Sequence, residues 1–284
     1  MNTIVITGAT SGIGLEAARL LAGEGWRVVG IGRSEQRCRQ ARESILSTHK
    51  RADLCFLTAD LLQQREVLRA AGEIKNLLAE GGGLHALINN AGCMRNWYMT
   101  TDEGYEQQFA LNYLSGFLLT HALFPQLKQA HGRVIFTGSG SHKHTRVRWD
   151  DLMFSRRYRP LLAYKQSKLL SMLLAVAINE QHSVSGVRAF VVDPALVNTD
   201  IGNKGTGGLV NLVWKLRKGC GAPPTIPAKT YSFLCDPDYE PQGLYYDQTI
   251  EKRYSKQVTR ENAARLMTVS EKLCNVQFGK EHAQ

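Results

Sequence analysis

The sequence predicts an α/β fold built on a doubly wound parallel sheet with helices on both faces. Short runs rich in Val and Ile alternate with longer segments of helical apolar spacing along residues 1–192. A glycine-rich turn separates the first such run from the first helical segment. With 43% hydrophobic and 21% charged residues, the 284-residue chain has enough apolar side chains for one large core, so we expect a single domain over residues 1–284.

The strands and helices follow each other in strict alternation. Strands are predicted at residues 4–6, 28–31, 54–57, 84–88, 134–137 and 187–192. Helices are predicted at residues 12–24, 33–49, 63–80, 106–130 and 162–181, the fourth of them kinked or near its end at Pro125. Right-handed crossovers between such strands give a Rossmann-type sheet, in which ligands bind beyond the carboxyl ends of the strands.

Residues 202–227 differ from the rest of the chain. Six glycines and three prolines flank an apolar segment, residues 209–218, that ends in basic residues. Such a long connection is typical of a lid, so we predict a substrate lid after the sixth strand and a C-terminal extension over residues 228–284. The apolar segment predicts a peripheral membrane contact, and the alternatives are a helix packed on the domain or a homodimer contact.

The chain is basic, with a net charge of +10 and clusters of Arg, Lys and His within residues 37–42, 143–148 and 156–159. Such clusters attract a phosphorylated cofactor, anionic lipid or nucleic acid, or simply form a solvated face. No helix-turn-helix or aromatic-rich RNA motif accompanies them, so no nucleic acid partner is expected.

Cysteine usage and hydropathy predict a cytoplasmic location. The six cysteines are scattered without a C-x-x-C pair, which is typical of a reducing compartment and argues against a zinc site. No basic and apolar leader precedes the first strand, so no signal peptide is expected. The longest apolar run, residues 169–178, is shorter than the roughly 20 residues that span a bilayer and predicts a buried helix.

The first strand is followed by the turn T-G-A-T-S-G-I-G, residues 7–14, which opens the first helix. Glycines let the backbone approach a pyrophosphate closely, and a helix N-terminus offers N–H groups to the anion. A purely structural turn is the alternative. The position between strand and helix favours dinucleotide binding by Thr7, Gly8, Ser11, Gly12, Ile13 and Gly14.

Arg33 stands at the end of the second strand, where an NAD-binding chain places an acidic residue against the ribose 2′-hydroxyl. A guanidinium suits a 2′-phosphate instead. This position predicts NADP, with NADPH preferred. The alternatives are a surface arginine and a role for Glu35, the nearest acidic residue.

Tyr164 and Lys168 form a Y-x-x-x-K pair at the start of an apolar helix, and residues four apart share a helical face. A free tyrosine has a pKa of about 10 and is a poor base at neutral pH. A pKa near 7 requires about 4 kcal/mol, which one ammonium about 4 Å away supplies at an effective dielectric near 20. We therefore expect Lys168 to lower the pKa of Tyr164 and to make it a proton donor and acceptor.

The chain resembles the short-chain dehydrogenase/reductase family. It has, in the order of that family, the glycine turn, the N-N-A-G string at residues 89–92 and the Y-x-x-x-K pair. The resemblance implies a catalytic set of Asn112, Ser139, Tyr164 and Lys168, with Asn112 holding a water that exchanges protons with the lysine. Ser141 is the rival of Ser139. The cofactor contacts that it implies are Asp60, Leu61, Asn90, Ala91, Gly92, Tyr164, Lys168, Pro194, Val197 and Thr199.

The long stretch between Ser139 and Tyr164, with W-D-D-L at residues 149–152, is similar to the retinol dehydrogenase branch that includes the WW-domain oxidoreductase. The resemblance implies hydride transfer between NADPH and a lipophilic aldehyde, ketone or alcohol. The sequence Asp193-Pro194-Ala195 departs from the family's Pro-Gly. The alternative function is a non-catalytic NADPH-binding sensor or scaffold on the same fold.

Overall fold

The computed structural model describes residues 2–79, 82–195 and 222–278 and contains an eight-stranded sheet of order β3-β2-β1-β4-β5-β6-β7-β8. Every neighbouring pair is parallel except β7 and β8. The strands are β1 (Thr3–Thr7), β2 (Arg27–Gly32), β3 (Leu54–Thr58), β4 (Leu84–Asn89), β5 (Arg133–Thr137), β6 (Arg188–Val192), β7 (Tyr245–Asp247) and β8 (Ile250–Glu251). The predicted doubly wound sheet is confirmed.

Helices cover both faces of the sheet. They are α1 (Gly12–Gly23), α2 (Glu35–Leu46), α3 (Gln64–Ala79), α4 (Gln107–Phe109), α5 (Ser115–Ala122), α6 (Phe124–Gln129), α7 (Pro160–Gln181), α8 (Thr225–Cys235) and α9 (Arg260–Cys274). Alternate strand residues enter opposite cores because side chains point to opposite faces of a strand. In β1, Val5 joins the core formed with α3, α5, α7 and α9, while Ile4 and Ile6 join the core formed with α1 and α8.

The helix predicted over residues 106–130 is divided into three helices and a π-helical turn, Ala110–Leu114. Pro125 lies in the first turn of α6, so it starts a new helix after Leu123 rather than bending one continuous helix. Proline suits this position because its missing N–H is one that the first helical turn leaves unpaired. The π-helical turn contains Asn112.

Residues 222–278 belong to the sheet and its two faces. α8 packs on α1, α9 packs on α7, and β7 pairs with β6. Of the predicted lid, only residues 222–227 are described, and α8 begins among them at Thr225. Residues 202–221 lie outside the described residues, as do the predicted cofactor contacts Val197 and Thr199.

Helix α7 carries Tyr164 and Lys168 through the middle of the protein. Within the described ranges it is the one helix long and apolar enough to cross a membrane, and most of its apolar stretch is buried inside the protein. It packs on β5, β6 and α9. This burial is what the sequence predicted for residues 169–178, and it is typical of the core helix of an α/β domain.

Candidate active site

The glycine turn between β1 and α1 has a backbone that other residues adopt only with strain. Gly8 and Gly12 have φ of +69° and +54°. A methyl carbon built on Gly14 would lie 2.4 Å from the Gly8 carbonyl oxygen, so the first turn of α1 packs directly on the glycine loop. The turn therefore presents backbone rather than side chains to the space in front of α1.

Thr7 and Asn90 join this turn to the end of β4. The Thr7 Oγ1 accepts the N–H groups of Asn90 and Ala91, both at 2.9 Å, and the Asn90 Nδ2 donates to the Thr7 carbonyl oxygen at 3.0 Å. These bonds fix two neighbouring strand ends against each other. Thr7 is thus placed to position the cofactor cleft rather than to line it.

A cleft of about 750 Å³ opens in front of the turn. It brings together ten of the residues predicted to contact a cofactor, which are Gly8, Ser11, Gly12, Ile13, Arg33, Asp60, Leu61, Asn90, Ala91 and Gly92. The Asp60 Oδ1 also accepts the N–H of Leu62 at 3.2 Å, so the same carboxylate holds the turn before α3. Among the lining residues that the sequence reasoning missed are Thr10, Ser34, Arg37, Cys93 and Arg95.

Arg33 and Arg37 are both exposed and both line the same end of this cleft, with Ser34 between them. The Ser34 Oγ accepts the N–H of Arg37 and caps α2, so the first turn of this helix borders the cleft. Glu35 forms an ion pair with Arg39 and does not line the cleft. Arg37 follows Arg33 by four residues and lies in the first turn of α2, and this spacing is the signal by which Arg37 could have been found.

This donor set fits a dinucleotide with a 2′-phosphate. The glycine turn and the N-terminus of α1 suit a pyrophosphate. Two guanidiniums suit the additional phosphate, and Glu35, the acidic residue between them in the sequence, is paired with Arg39 and does not line the cleft.

Asn112 connects the π-helical turn to the segment after β4 and to α7. Its Oδ1 accepts the N–H of Cys93 at 2.7 Å, and its Nδ2 donates to the Cys93 carbonyl oxygen at 2.9 Å and to the Ser167 Oγ at 3.0 Å. The side chain is therefore engaged in holding the segment after β4 against α7. Its part in a proton relay stays a prediction.

Lys168 is buried, with 3% of its surface exposed, and its Nζ donates to the Thr137 carbonyl oxygen at 2.8 Å. Burial lowers the pKa of Lys168 to about 8. A methyl carbon built on Gly92 would lie 3.7 Å from this ammonium, so Lys168 lies next to a residue that lines the cofactor cleft.

Tyr164 lies next to Ser139, whose hydroxyl acts to lower the pKa of the phenol. Burial raises the pKa of Tyr164 to about 12, with smaller contributions in the same direction from Asp193 and Cys93. The expected lowering by Lys168 is not found, because the ammonium is directed at Thr137 and lies 5.8 Å from the centre of the Tyr164 ring. In this structure Tyr164 is a protonated phenol at neutral pH.

The structure brings Ser139, and not Ser141, to Tyr164. The Ser139 Oγ also accepts the N–H of Ser141 at 3.3 Å. The Ser141 Oγ is buried and has no hydrogen-bond partner in the described part of the chain. Gly138, which stands where the family has another serine, has no space for a side chain because a methyl carbon there would lie 2.6 Å from the Val191 Cγ1.

Pro194 and Ala195 follow β6 at the same edge of the sheet. Ala195 stands where the family has glycine and has a φ of +56°. A left-handed backbone costs a residue with a side chain about 1–2 kcal/mol. The Ala195 N–H donates to the Asp193 Oδ1 at 2.9 Å, and this bond holds the strained turn.

The comparisons with known proteins agree with this geometry. The family model described as short chain dehydrogenase matches residues 2–207. Retinol dehydrogenase 12 of Mus musculus is 34% identical over 98% of this chain and 87% of its own length. The polyprenol dehydrogenase of Homo sapiens is 35% identical over 69% of this chain and 61% of its own length.

Solved structures share the fold over the whole chain. A protein of Mycobacterium paratuberculosis superimposes with a TM-score of 0.76 at 25% identity, covering 99% of this chain and 96% of that one. A short-chain dehydrogenase from Sphingobium yanoikuyae, solved with NADPH, has a TM-score of 0.66 at 22% identity, covering 100% of this chain and 99% of that one.

Proposed function

This chain belongs to the short-chain dehydrogenase family and is an oxidoreductase of its retinol dehydrogenase branch, and we propose that it transfers a hydride between NADPH and a lipophilic aldehyde or ketone. The observation that supports this proposal is that Ser139, Tyr164 and Lys168 are neighbours, with Lys168 next to Gly92, a residue that lines the cleft in front of the glycine turn. A binding protein without turnover needs the cleft but not this polar set.

The cofactor cleft supports NADPH over NADH. In the proposal, the backbone of the turn from Gly8 to Ile13 holds the pyrophosphate, Arg33 and Arg37 bind the 2′-phosphate, and Asp60 and Leu61 contact the adenine. Asn90, Ala91, Gly92 and Pro194 line the nicotinamide half, together with Val197 and Thr199 from outside the described residues. When bound, the nicotinamide supplies or accepts the hydride.

Tyr164 is the proposed proton donor. A phenol whose pKa is about 12 keeps its proton at neutral pH, which suits protonation of a carbonyl oxygen as the carbonyl carbon is reduced. Ser139 donates a second hydrogen bond to that oxygen, and Lys168 holds the nicotinamide ribose. Oxidation of an alcohol requires the phenolate, so in this direction the bound, positively charged nicotinamide and Lys168 have to lower the pKa of Tyr164.

The relatives supply the substrate class. They are named retinol dehydrogenase 12 and polyprenol dehydrogenase, and both names describe alcohols with long apolar chains. We extend this class to the present chain. The remaining proposals are a single domain over residues 1–284, a lid at residues 202–227, a peripheral contact of segment 209–218 with membrane or a second copy, and a cytoplasmic location.

A panel of apolar aldehydes and ketones tests the proposal, with NADPH absorbance as the readout. Turnover with at least one long-chain carbonyl, lost in Tyr164→Phe, supports the enzyme. Cofactor binding without turnover of any carbonyl or alcohol would instead support the sensor or scaffold. Limited proteolysis tests the lid, which predicts slower cleavage within residues 202–221 when cofactor and substrate are present.

A further inference from the structure

The glycine turn carries no basic side chain for the ionised pyrophosphate that it is proposed to hold. Residues 7–14 offer that group only backbone N–H groups and hydroxyls. Among the described residues that line the cleft, the cations are Arg33, Arg37 and Arg95. Arg33 and Arg37 share one end of the cleft and are assigned to the 2′-phosphate. Arg95 is the remaining cation.

Arg95 and Arg33 lie on opposite sides of the glycine turn. The strand order places β1 between β2 and β4, and Arg33 follows β2 whereas Arg95 comes shortly after β4. A methyl carbon built on Gly8 would lie 3.1 Å from the Ala91 Cα, so the segment that leads to Arg95 lies directly against the turn. In a fold of this class the pyrophosphate binds at this turn and the helix N-terminus behind it.

Gln107 and Asn112 hold the segment that carries Arg95. The Arg95 Nε donates to the Gln107 Oε1 at 2.8 Å, and the Gln107 N–H donates to the Met99 carbonyl oxygen at 2.9 Å. The Asn112 side chain bonds both the N–H and the carbonyl oxygen of Cys93. The guanidinium is therefore held at the cleft before any cofactor binds, which lowers the entropy that binding costs.

The buried carboxylate of Glu106 is held by other donors than Arg95. Its Oε2 accepts the Phe109 N–H at 2.7 Å, and its Oε1 accepts the Tyr158 hydroxyl at 2.8 Å. Burial raises the pKa of Glu106, and Arg95 is among the groups that act in the opposite direction. Glu106 is 1% exposed, whereas Arg95 is partly exposed and lines the cleft. A structural task at Glu106 therefore does not account for the position of Arg95.

We propose that Arg95 is a cofactor-binding residue that pairs with the pyrophosphate, the part common to NADPH and NADH. The inference rests on the proposed function, to which it adds a second site of positive charge. A guanidinium suits this task because it donates two parallel N–H bonds to phosphate oxygens. Arg95 should therefore raise the affinity for both cofactors equally, whereas Arg33 and Arg37 act on NADPH.

Equilibrium binding to the full chain, followed by fluorescence titration or calorimetry without substrate, tests this assignment. Arg95→Gln should raise the Kd of NADPH and of NADH by about tenfold each, because a charge-assisted bond to phosphate is lost at a partly exposed position. ADP-ribose has the pyrophosphate but neither nicotinamide nor 2′-phosphate, and its Kd should rise by the same factor. Arg33→Ala should weaken NADPH and leave NADH and ADP-ribose near the parent. Higher salt should narrow the difference between Arg95→Gln and the parent.

Arg146→Gln is the matched control, because Arg146 is exposed and does not line the cleft, and all three Kd values should stay at those of the parent. Gln107→Leu removes the bond to Arg95 but keeps its charge, so its loss should be smaller than that of Arg95→Gln. Equal losses in these two variants would overturn the proposal, since Arg95 would then act only by holding its own segment. A loss confined to NADPH, or an unchanged Kd of ADP-ribose, would overturn it as well.

The parent and its variants can be compared even if one of them is unstable. Should Arg95→Gln fail to fold, Arg95→Lys takes its place. It keeps the charge but not the paired bonds, so its loss should be smaller and still equal for the three ligands. Unequal losses would contradict the assignment. No turnover is measured, so these outcomes decide the role of Arg95 whether or not a substrate is found.

Discussion

Replacing Arg33 and Arg37 should remove the preference for NADPH. Both guanidiniums line the end of the cofactor cleft, and Glu35 is occupied by Arg39. A charge-assisted hydrogen bond contributes about 1.5–3 kcal/mol. Because both arginines are exposed, solvent screening favours the lower end of this range. We therefore expect each substitution by alanine to lower kcat/KM for NADPH about tenfold.

The two arginines face the same phosphate, so their effects should not simply add. The double variant should lose between about tenfold and hundredfold with NADPH while its activity with NADH stays within about twofold. Arg33→Asp should go further and favour NADH, since a carboxylate accepts a bond from the 2′-hydroxyl and repels the phosphate. The assay is steady-state kinetics with both cofactors at two salt concentrations, and the NADPH preference should shrink at the higher one.

Arg42→Ala is the matched control. It removes one positive charge from the exposed face of the same helix, but Arg42 does not line the cleft. An equal loss with NADPH and NADH in the Arg33 and Arg37 variants, or the same loss in Arg42→Ala, would show that these arginines act through folding or net charge and not through the 2′-phosphate.

Three further predictions concern the turn and the catalytic pair. Tyr164→Phe should lower turnover by at least about a hundredfold while NADPH fluorescence titration shows nearly unchanged binding, and activity within tenfold of the parent would refute the proposed acid. Gly14→Ala should lower the melting temperature and abolish NADPH binding, because its methyl would lie 2.4 Å from the Gly8 carbonyl oxygen. Gly72→Ala is the control: a methyl there has nothing within 4 Å, so the free energy of unfolding should rise by about 0.5–1 kcal/mol. Lys168→Met should inactivate the enzyme yet raise the free energy of unfolding at pH 7, by about 3 kcal/mol at most, because it removes a buried cation. Because the pKa of Lys168 falls from 10.5 to about 8 on folding, this gain should fade as the pH rises from 8 to 10.5. Chemical denaturation at several pH values measures the gain, and a gain that stays constant over this range would contradict the prediction.

The first six strands were predictable because each is a short run of β-branched and other apolar residues followed by a turn or a helical pattern. Their observed bounds differ from the predicted ones by at most one residue at either end. The cofactor turn was also predictable, because its glycines lie between a strand and a helix. Their position in the chain is informative where their number alone is not. Arg33 also needed no tertiary information, because its place relative to the second strand was already fixed.

The C-terminal elements were not predicted, for different reasons. β7 has only three residues and is buried by its pairing with β6, so no alternation reveals it. α9 did carry signals: the Thr259 Oγ1 accepts the N–H of Asn262, and Asn275 ends the helix with a φ of +51°. A threonine cap and an asparagine stop around an apolar pattern are sufficient to indicate a helix there.

The pKa of Tyr164 could not be predicted from the Y-x-x-x-K pair alone. The spacing places Lys168 on the same helical face, but the direction of its ammonium depends on the Thr137 carbonyl oxygen on a different element. Burial and the charge of Asp193 are tertiary effects as well. Elements distant in sequence therefore determine the pKa of Tyr164, whereas the motif determines only that Tyr164 and Lys168 share a helical face.

The C-terminal elements position the catalytic pair although they lie beyond the part that matches the family model. The Tyr231 hydroxyl on α8 bonds the Thr137 Oγ1 at 2.6 Å, and the carbonyl of this threonine holds Lys168. Tyr245 on β7 holds Asp193, and the Ser255 N–H donates to the His142 Nε2 at 3.3 Å. Through these contacts the C-terminal elements hold the Lys168 ammonium, the Asp193 carboxylate and the segment that carries Ser139. A substitution in α8 or β7 can therefore change the acidity of Tyr164 while every residue of the catalytic motif stays the same.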